Sequence, residues 1–541
     1  MTAKQRTVNV CQGTGCISAG AEQILSLLRA EITELNLSDS VLVRGTGCHG
    51  LCQAAPLVAI EPDGILYAKV SPDDITDIAR SLLPDGKPVE RLFYYDTVIA
   101  RSLAFFRDIP FYYKQQRFVL RNLGNIDPDS IDDFVSAGGY GAARKAITGM
   151  TPEDIIEEVK SSGLRGLGGA GFPAGRKWET CRVEMAEQKY VICNADEGDP
   201  GAFQDCAVME GDPHSILEGM IIAGYAVGSD TGYIFVRAEY PRAVARLRTA
   251  IGQARERGYL GKDVMGTGFD FDIHIFQGAG AFVCGESTAL VRSIEGGRGI
   301  PKAFPRPRTT EIGLWDKPTL LNNVKTFASI PVVINNGGAS FASRGTETCK
   351  GTAIFSLAGN VVNTGLVEVP MGTRLREIIY DIGGGILGGR AFKAVQTGGP
   401  SGGCMPAELL NLPVDFDSLT EAGSMMGSGG MIVMDQDTCM VDVARYFLDF
   451  TRRESCGQCA PCRVGTKQMY DILDGICRKE GRPGDIELLV ELGESIAETS
   501  LCALGKSAPN PVLTTIRYFR EEYEAHILGG YCPAGVCSAY Q

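Results

Sequence analysis

The segment Gly163-Leu-Arg-Gly-Leu-Gly-Gly-Ala-Gly-Phe-Pro-Ala-Gly-Arg-Lys177 packs five glycines into nine residues. A row of glycines uncovers backbone N–H groups, and Arg165, Arg176 and Lys177 add positive charge. The segment therefore reads as a phosphate-accepting loop. A GxGxxG match alone is weak, because Gly-rich loops also serve as plain turns. Here Gly166-Leu-Gly168 follows an apolar run at helical spacing (Ile155, Ile156, Val159) instead of a strand, so a Rossmann fingerprint is the wrong label. The loop belongs to a long α/β region that begins near Ser136.

Three further segments lie downstream. Tyr190-Val-Ile-Cys-Asn-Ala-Asp-Glu-Gly-Asp-Pro-Gly201 reads as a buried strand opening into three carboxylates. Carboxylates beside a nucleotide loop accept hydrogen bonds from ribose hydroxyls or a ring amide, with metal binding as the alternative. A strand over Phe271 to Phe276 leads into Gly278-Ala-Gly-Ala-Phe-Val-Cys-Gly-Glu-Ser-Thr288. Lys317-Pro-Thr-Leu-Leu-Asn-Asn-Val324 sets Asn322 beside Asn323, a pair suited to a flavin or nicotinamide amide.

Cysteines flank this region on both sides. In Glu454-Ser-Cys-Gly-Gln-Cys-Ala-Pro-Cys-Arg463, Cys456, Cys459 and Cys462 recur every third residue, which suits three corners of a [4Fe–4S] cubane. Cys502 is the expected fourth ligand; structural zinc or free thiols are the alternative. At the other end, Cys11 and Cys16 form a C-x4-C pair and Cys48 and Cys52 a C-x3-C pair. Each follows a β-branched run (Thr7 to Val10, Val41 to Val43), with an amphipathic helix expected over Ala21 to Leu35. Four thiolates on two loops suit a [2Fe–2S] rhomb of a class other than the plant type, zinc being the alternative. His49, inside the second loop, is expected to lie outside the ligand set. In the tail, His526, Cys532 and Cys537 have zinc-like spacing and lack a fourth ligand. Cys439 is the choice and Cys477 the alternative, giving a zinc staple as against ordinary surface thiols. Cys181, Cys193, Cys206, Cys284, Cys349 and Cys404 stand singly and read as small hydrophobes.

The composition fits these sites. A chain of 541 residues exceeds one core, so several domains are expected. A net charge of −13 argues against nucleic acid as a partner. No segment approaches bilayer-spanning length, and the start, Met1 to Thr7, lacks a secretory apolar core. Eighteen cysteines in such a chain point to a reducing, cytoplasmic setting, where clustered Cys means metal.

Gly166 to Lys177, Asn194 to Gly201, Gly278 to Leu290, Asn322-Asn323 and Glu454 to Arg463 together resemble the NADH-binding flavoprotein subunit of respiratory complex I, the 51-kilodalton type. The N-terminal cysteine pairs resemble that complex's thioredoxin-like [2Fe–2S] subunit, here fused in front. Similar fusions occur in β subunits of soluble NAD(P)-linked or electron-bifurcating [FeFe] hydrogenases and in NAD-linked formate dehydrogenases.

The resemblance implies a multidomain α/β and α fold. It comprises a thioredoxin-like [2Fe–2S] domain (1–84), a linker arm (85–135), an FMN- and NAD(P)-binding α/β domain (136–335), a small β-grasp domain (336–432), a helical bundle with the [4Fe–4S] site (433–515) and a tail (516–541). It implies non-covalent FMN at Gly166, Gly168, Gly169 and Lys177, with Asn194, Asp196, Asn322 and Asn323 on the ring and ribityl chain. Glu197 and Glu286 would shape the nicotinamide pocket. The activity implied is NAD(P)H:acceptor oxidoreduction without a general base. The partners implied are a hydrogenase or formate dehydrogenase catalytic subunit, a small [2Fe–2S] subunit, and ferredoxin if electrons bifurcate.

Two features depart from complex I-type chains. Ser287 stands where they carry a second Glu, which would repel a 2′-phosphate less. The tail Cys532-Pro-Ala-Gly-Val-Cys537 is similar to hydrogenase-type β subunits. The arm's Phe105-Phe106 and Phe111-Tyr112-Tyr113 are either a partner-docking surface or intra-chain packing.

Overall fold

The computed structural model describes residues 6–303 and 307–541; Met1 to Gln5, read above for an apolar leader, lie outside them. Strands β1 (Arg6–Cys11) and β2 (Val41–Thr46) run parallel and are joined by α1 (Ala21–Glu34), which buries Ala21, Ile24, Leu28 and Ile32 at helical spacing. Antiparallel β3 (Val58–Glu61) and β4 (Ile65–Tyr67) complete a sheet of order β2-β1-β3-β4. Because Cys11 pairs in register with Thr46, the cysteine loops that follow β1 and β2 leave the sheet at the same end.

The arm wraps the molecule. Leu66 N–H donates to the Ala104 carbonyl (2.8 Å) and Ala68 N–H to that of Leu92 (2.8 Å), so the arm covers the outer edge of β4. Within it, β5 (Tyr94–Asp96) and β6 (Arg101–Leu103) form a hairpin. Phe106 stacks on His49 at 5.4 Å, Phe111 is fully buried and meets Tyr112 edge-on at 5.5 Å. These rings pack within the chain, and only Tyr113 of the group stands well exposed.

The central layer comprises α2 (Pro152–Ser161), α3 (Ala174–Val183), β7 (Tyr190–Ala195), α4 (Gln204–Gly211), α5 (Pro213–Val227), β8 (Thr231–Arg237), β9 (Asp272–Gly278), α6 (Ser287–Ile294), β10 (Thr319–Asn323) and α7 (Val324–Asn336). All four strands are parallel, in the order β10-β7-β8-β9. The chain progresses outward from β7 to β9 and then returns for β10 on β7's other side. That reversal opens a crevice at the carboxyl ends of β7 and β10, where open α/β sheets bind ligands.

A mixed sheet follows, from β11 (Thr352–Gly359), β12 (Gly365–Pro370), β13 (Phe392–Thr397), β14 (Gly403–Pro406) and β15 (Gly430–Asp435), in the order β12-β11-β15-β13-β14. It runs three residues past the expected end at 432. The bundle holds α8 (Met440–Arg453), α9 (Thr466–Cys477), α10 (Asp485–Thr499) and α11 (Asn510–Glu524). Helix α11 straddles the expected boundary between bundle and tail, a correction to the sequence reading. It buries Val512, Ile516 and Tyr523, but charged Arg517, Arg520, Glu521 and Glu522 interrupt the apolar pattern. Among the described residues no helix is long and apolar enough to cross a membrane.

Candidate functional site

Register decides which asparagine faces the crevice. In the parallel pair β10–β7, Asn323 lies opposite Asn194 and Asn322 opposite Cys193. Successive strand residues point to opposite faces, so Asn323 shares Asn194's side and Asn322 does not. Asn322 is buried and accepts from Trp178 Nε1 (2.9 Å) while donating to the Leu321 carbonyl (3.1 Å), in the amide orientation that satisfies both ends. The expectation of two adjacent asparagines on one ligand is thereby corrected. Asn194 Nδ2 donates to the Gly285 carbonyl (2.8 Å) and its Oδ1 accepts from Asp196 N–H (3.1 Å). Asn323 caps α7 by accepting from Lys325 N–H (2.9 Å) and donates Nδ2 to Asp205 (2.5 Å).

The Gly-rich loop closes beside this pair. Gly166 N–H donates to the Phe172 carbonyl (2.8 Å), and a Cβ on Gly168 would come within 3.0 Å of Asn323 Cβ. Gly169 has φ +119°, a conformation only glycine adopts readily. On α3, Lys177 Nζ donates to the Leu321 carbonyl (3.0 Å), and burial pushes its ammonium down to about 8. Arg165 turns elsewhere: Nε donates to the Gly171 carbonyl (2.6 Å), Nη1 pairs with Asp417 (3.2 Å), and the guanidinium covers the Phe416 ring. Its assignment to phosphate is corrected to a clamp on the mixed-sheet domain, and Arg176 is exposed.

The carboxylates divide by task. Glu197 is raised to about 8 by burial and accepts from the N–H groups of Asp205 (2.8 Å) and Cys206 (2.9 Å) at the start of α4. Glu286 caps α6 through Thr288 N–H (3.0 Å) and Ala289 N–H (3.1 Å). Both residues expected to shape the nicotinamide pocket thus hold helix N-termini. Asp199, raised by burial to about 6, accepts from the Ser428 hydroxyl. Asp196 differs: both its oxygens are shielded from solvent with no hydrogen-bond donor, and Arg237 Nε stands 3.6 Å away, also without an acceptor. A buried acceptor pair of this kind calls for a ligand with donor hydroxyls. With Lys177 and the glycine-lined wall, the crevice fits FMN.

Burial raises the Asp196 carboxyl from 3.8 to about 7. Flavin-free native chain therefore keeps a proton that the unfolded chain releases, and stability falls as pH climbs from about 4 to 7. Asp196→Asn, neutral throughout, should show a weaker pH dependence of its melting temperature and exceed the parent at about pH 8, with reduced flavin affinity. Parallel melting profiles for the two proteins would show that Asp196 ionises freely.

The triple-cysteine loop docks on the same domain. Glu454 Oε2 accepts from Phe282 N–H (2.8 Å), Phe282 meets Phe450 edge-on (5.4 Å), and Arg298 Nη2 donates to the Cys456 carbonyl (3.0 Å). Cys462 and Cys502 are buried in one apolar cluster with Ile192, Phe235 and Val283, and Cys456 and Cys459 pack against it. Burial, together with the other three thiols, pushes Cys462 up to about 11. Four thiols gathered in so apolar a place fit a cationic cluster that would hold them as thiolates.

At the N-terminal loops, Cys48 Sγ and Cys52 Sγ are 3.9 Å apart, and His49 N–H points to Cys11 Sγ at 3.5 Å. A Cβ on Gly13 would come within 2.8 Å of Cys48 Cβ, so the two loops touch. Cys16 is pushed up by its contact with Cys11 and by burial. In the tail region, ligand atoms of Cys439, His526, Cys532 and Cys537 all lie within 4.8 Å of one another. His526 Nε2 is 3.6 Å from Cys439 Sγ, and its Nδ1 lies 2.6 Å from the Glu522 carbonyl, which fixes the ring.

Sequence reasoning missed Asp205, Lys325, Arg237 and Arg298. The fold brings Asp205, Lys325 and Arg237 to Asn323 and Asp196, and Arg298 to the Cys456 carbonyl.

Family profiles match four parts of the chain. They are the Nuo51 FMN-binding domain (residues 159–332), the NADH-ubiquinone oxidoreductase-F iron–sulfur binding region (442–526), the thioredoxin-like [2Fe–2S] ferredoxin (2–83) and the SLBB domain (354–404). The NADP-reducing hydrogenase subunit HndC of Solidesulfovibrio fructosivorans is 55% identical over 426 residues, 79% of this chain and 86% of that one. An NADH-quinone oxidoreductase subunit of Escherichia coli is 42% identical over 402 residues, 74% and 90% of the two chains. A chain in the crystal structure of an NAD+-reducing [NiFe]-hydrogenase in the H2-reduced state superposes with TM-score 0.68 at 28% identity, covering 97% of this chain and 85% of that one.

Proposed function

Because the chain belongs to the family of flavin- and iron–sulfur-carrying NADH dehydrogenase subunits, of complex I and NAD(P)-reducing hydrogenase type, we propose that it is the diaphorase subunit of a soluble, cytoplasmic hydrogenase. The observation that carries this reading is the seating of the cysteine loop on the flavin domain through Glu454 and Phe282. An enzyme that takes a hydride at one centre and delivers single electrons at another needs those centres side by side. When bound, FMN supplies the two-electron acceptor that also yields electrons singly, which clusters alone cannot do.

The chain's own groups do the positioning. Asp196 accepts ligand hydroxyls, Lys177 offers positive charge at the loop, and Asn323 is held by Asp205 so that its amide cannot rotate. At Gly168 the loop comes so close to β10 that a Cβ would meet the Asn323 side chain at 3.0 Å. Cys456, Cys459, Cys462 and Cys502 hold the [4Fe–4S] centre, and Cys11, Cys16, Cys48 and Cys52 the [2Fe–2S] centre. Cys439, His526, Cys532 and Cys537 hold one structural zinc, since a closed set of one histidine and three cysteines leaves no open coordination position. The hydrogenase assignment is supported by the HndC relative and by the Cys-Pro-Ala-Gly-Val-Cys tail. Ferredoxin-coupled bifurcation is the sharper form of the same reading.

The test is anaerobic stopped-flow spectroscopy with NADH and NADPH in parallel, followed by EPR of the frozen product. Flavin bleaching and then both cluster signals are expected. NADPH should be accepted as well, because Ser287 carries no charge against a 2′-phosphate. Metal-replete protein that neither nucleotide bleaches would make this an electron relay without a nicotinamide substrate.

A further inference from the structure

Outside the flavin crevice, buried polar atoms without partners gather around the N-terminal cysteine loops. They are Thr46 Oγ1, His49 Nε2, the Tyr112 hydroxyl and Arg117 Nε. Three of the four residues form one stack of contacts. Arg117 Nη2 donates to the His49 carbonyl (2.7 Å), and its guanidinium covers the Tyr112 ring (5.6 Å). Phe106 lies between, stacked on His49 and edge-on to Tyr112 (5.2 Å). Tyr112 and Arg117 come from the arm, which the thioredoxin-like domain does not itself contain.

The fold holds this arrangement firmly. A Cβ on Gly124 would sit 2.6 Å from the His49 ring, and one on Gly50 2.7 Å from Arg117 Nη2. On the other side, Leu366 N–H at the edge of the mixed sheet donates to the Gly50 carbonyl (2.8 Å). The Cys48–Cys52 loop is thus gripped between arm and sheet. A hydroxyl fixed in such a place without an acceptor is costly, and native chains rarely leave one so. His49, on which this stack rests, lies between Cys48 and Cys52 and points its N–H to Cys11 Sγ (3.5 Å), so the stack leans on the loop that carries two of the four thiols and touches a third.

We propose that Tyr112 is a positioning residue of the arm whose phenol O–H donates a hydrogen bond to a sulfur of the N-terminal two-iron centre and raises that centre's reduction potential. The proposal rests on the reading of Cys11, Cys16, Cys48 and Cys52 as the holders of a [2Fe–2S] cluster. Hydrogen bonds to sulfur favour the reduced, more negative form, which is how proteins set such potentials. The arm then has a purpose beyond linkage. It makes the fused domain a different electron carrier from a free ferredoxin of the same fold.

The experiment uses the full chain, purified anaerobically, with EPR-monitored redox titration of the two-iron signal. Tyr112→Phe should shift the oxidised-to-reduced ratio at a fixed poise about tenfold toward oxidised, ~59 mV for one electron. It should also remove one exchangeable-proton coupling seen by ENDOR when water is replaced by deuterated water. Tyr113→Phe, the exposed neighbour, should change neither. If Tyr112→Phe costs the cluster, 3-fluorotyrosine at 112 keeps the shape and strengthens the donor, and the shift should reverse sign. An unchanged potential and a persisting coupling in Tyr112→Phe, with the iron content intact, overturn the proposal alone. A parent chain with no two-iron signal overturns the cluster reading and the proposal with it.

Discussion

Replacing Lys325 by Met should destabilise the flavin domain by about 3–5 kcal/mol, the typical cost of stranding one member of a buried ion pair. Lys325 Nζ lies 2.6 Å from Asp205 Oδ1, with side chains 2% and 3% exposed, so water cannot take over the lysine's role. The second Asp205 oxygen holds Asn323 Nδ2, and Asp205 N–H holds Glu197. The pair therefore ties the ends of β10 and α4 together at the crevice. For a domain of this size the loss amounts to roughly 6–20 °C in its melting transition. Flavin retention on gel filtration should fall with it.

The double variant Lys325→Met with Asp205→Leu separates the two consequences. Removing both charges should restore much of the lost stability, because buried pairs are often replaceable by apolar residues at little cost. It should not restore flavin binding, since Asn323 would lose the carboxylate that orients its amide. A double variant that binds flavin as the parent does would reduce the pair to a packing feature.

The cysteine motifs were legible because ligand chemistry demands fixed spacing, and loops carrying it advertise themselves within a few residues. Cys456 to Cys462 and the pairs at Cys11 and Cys48 are of this kind. The nucleotide crevice was legible only as a set of loops. Which side chain of Asn322-Asn323 faces the ligand depends on strand register, which no local pattern encodes. Glu197 and Glu286 also take up backbone N–H groups, and no local pattern separates that task from meeting a ligand, because a carboxylate just before a helix suits both. Arg165 looked like a phosphate residue because its partner Asp417 lies 252 positions away in sequence. The arm's rings were ambiguous until the fold set Phe106 against His49. For the asparagine register, Arg165 and the arm, the missing information is long-range.

The tail offers the other large effect. Cys439 precedes α8, while His526, Cys532 and Cys537 follow α11, so a zinc ion there would tie the end of the chain to the start of the bundle. The ring orientation is already set, with the Glu522 carbonyl beside His526 Nδ1 and Nε2 left toward the thiols. Glu522 also pairs with Lys393 on β13 (2.6 Å), which couples the site to the mixed sheet. Structural zinc is worth about 10–16 kcal/mol in small zinc-finger peptides. Here the bundle has its own core around Leu448, Met469, Leu473 and Ile476, so the loss should appear as local release rather than global unfolding. His526→Ala should bring the zinc content by mass spectrometry from one per chain to near zero. It should also open residues after α11 to protease, with the [4Fe–4S] EPR signal preserved. His526→Cys, which offers a set of four cysteines, should keep the metal and the protection. Parent protein without zinc, or a His526→Ala chain that retains it, would leave the four residues as a packing cluster. A cluster signal lost along with the zinc would instead mean that the tail supports the electron-transfer centre directly.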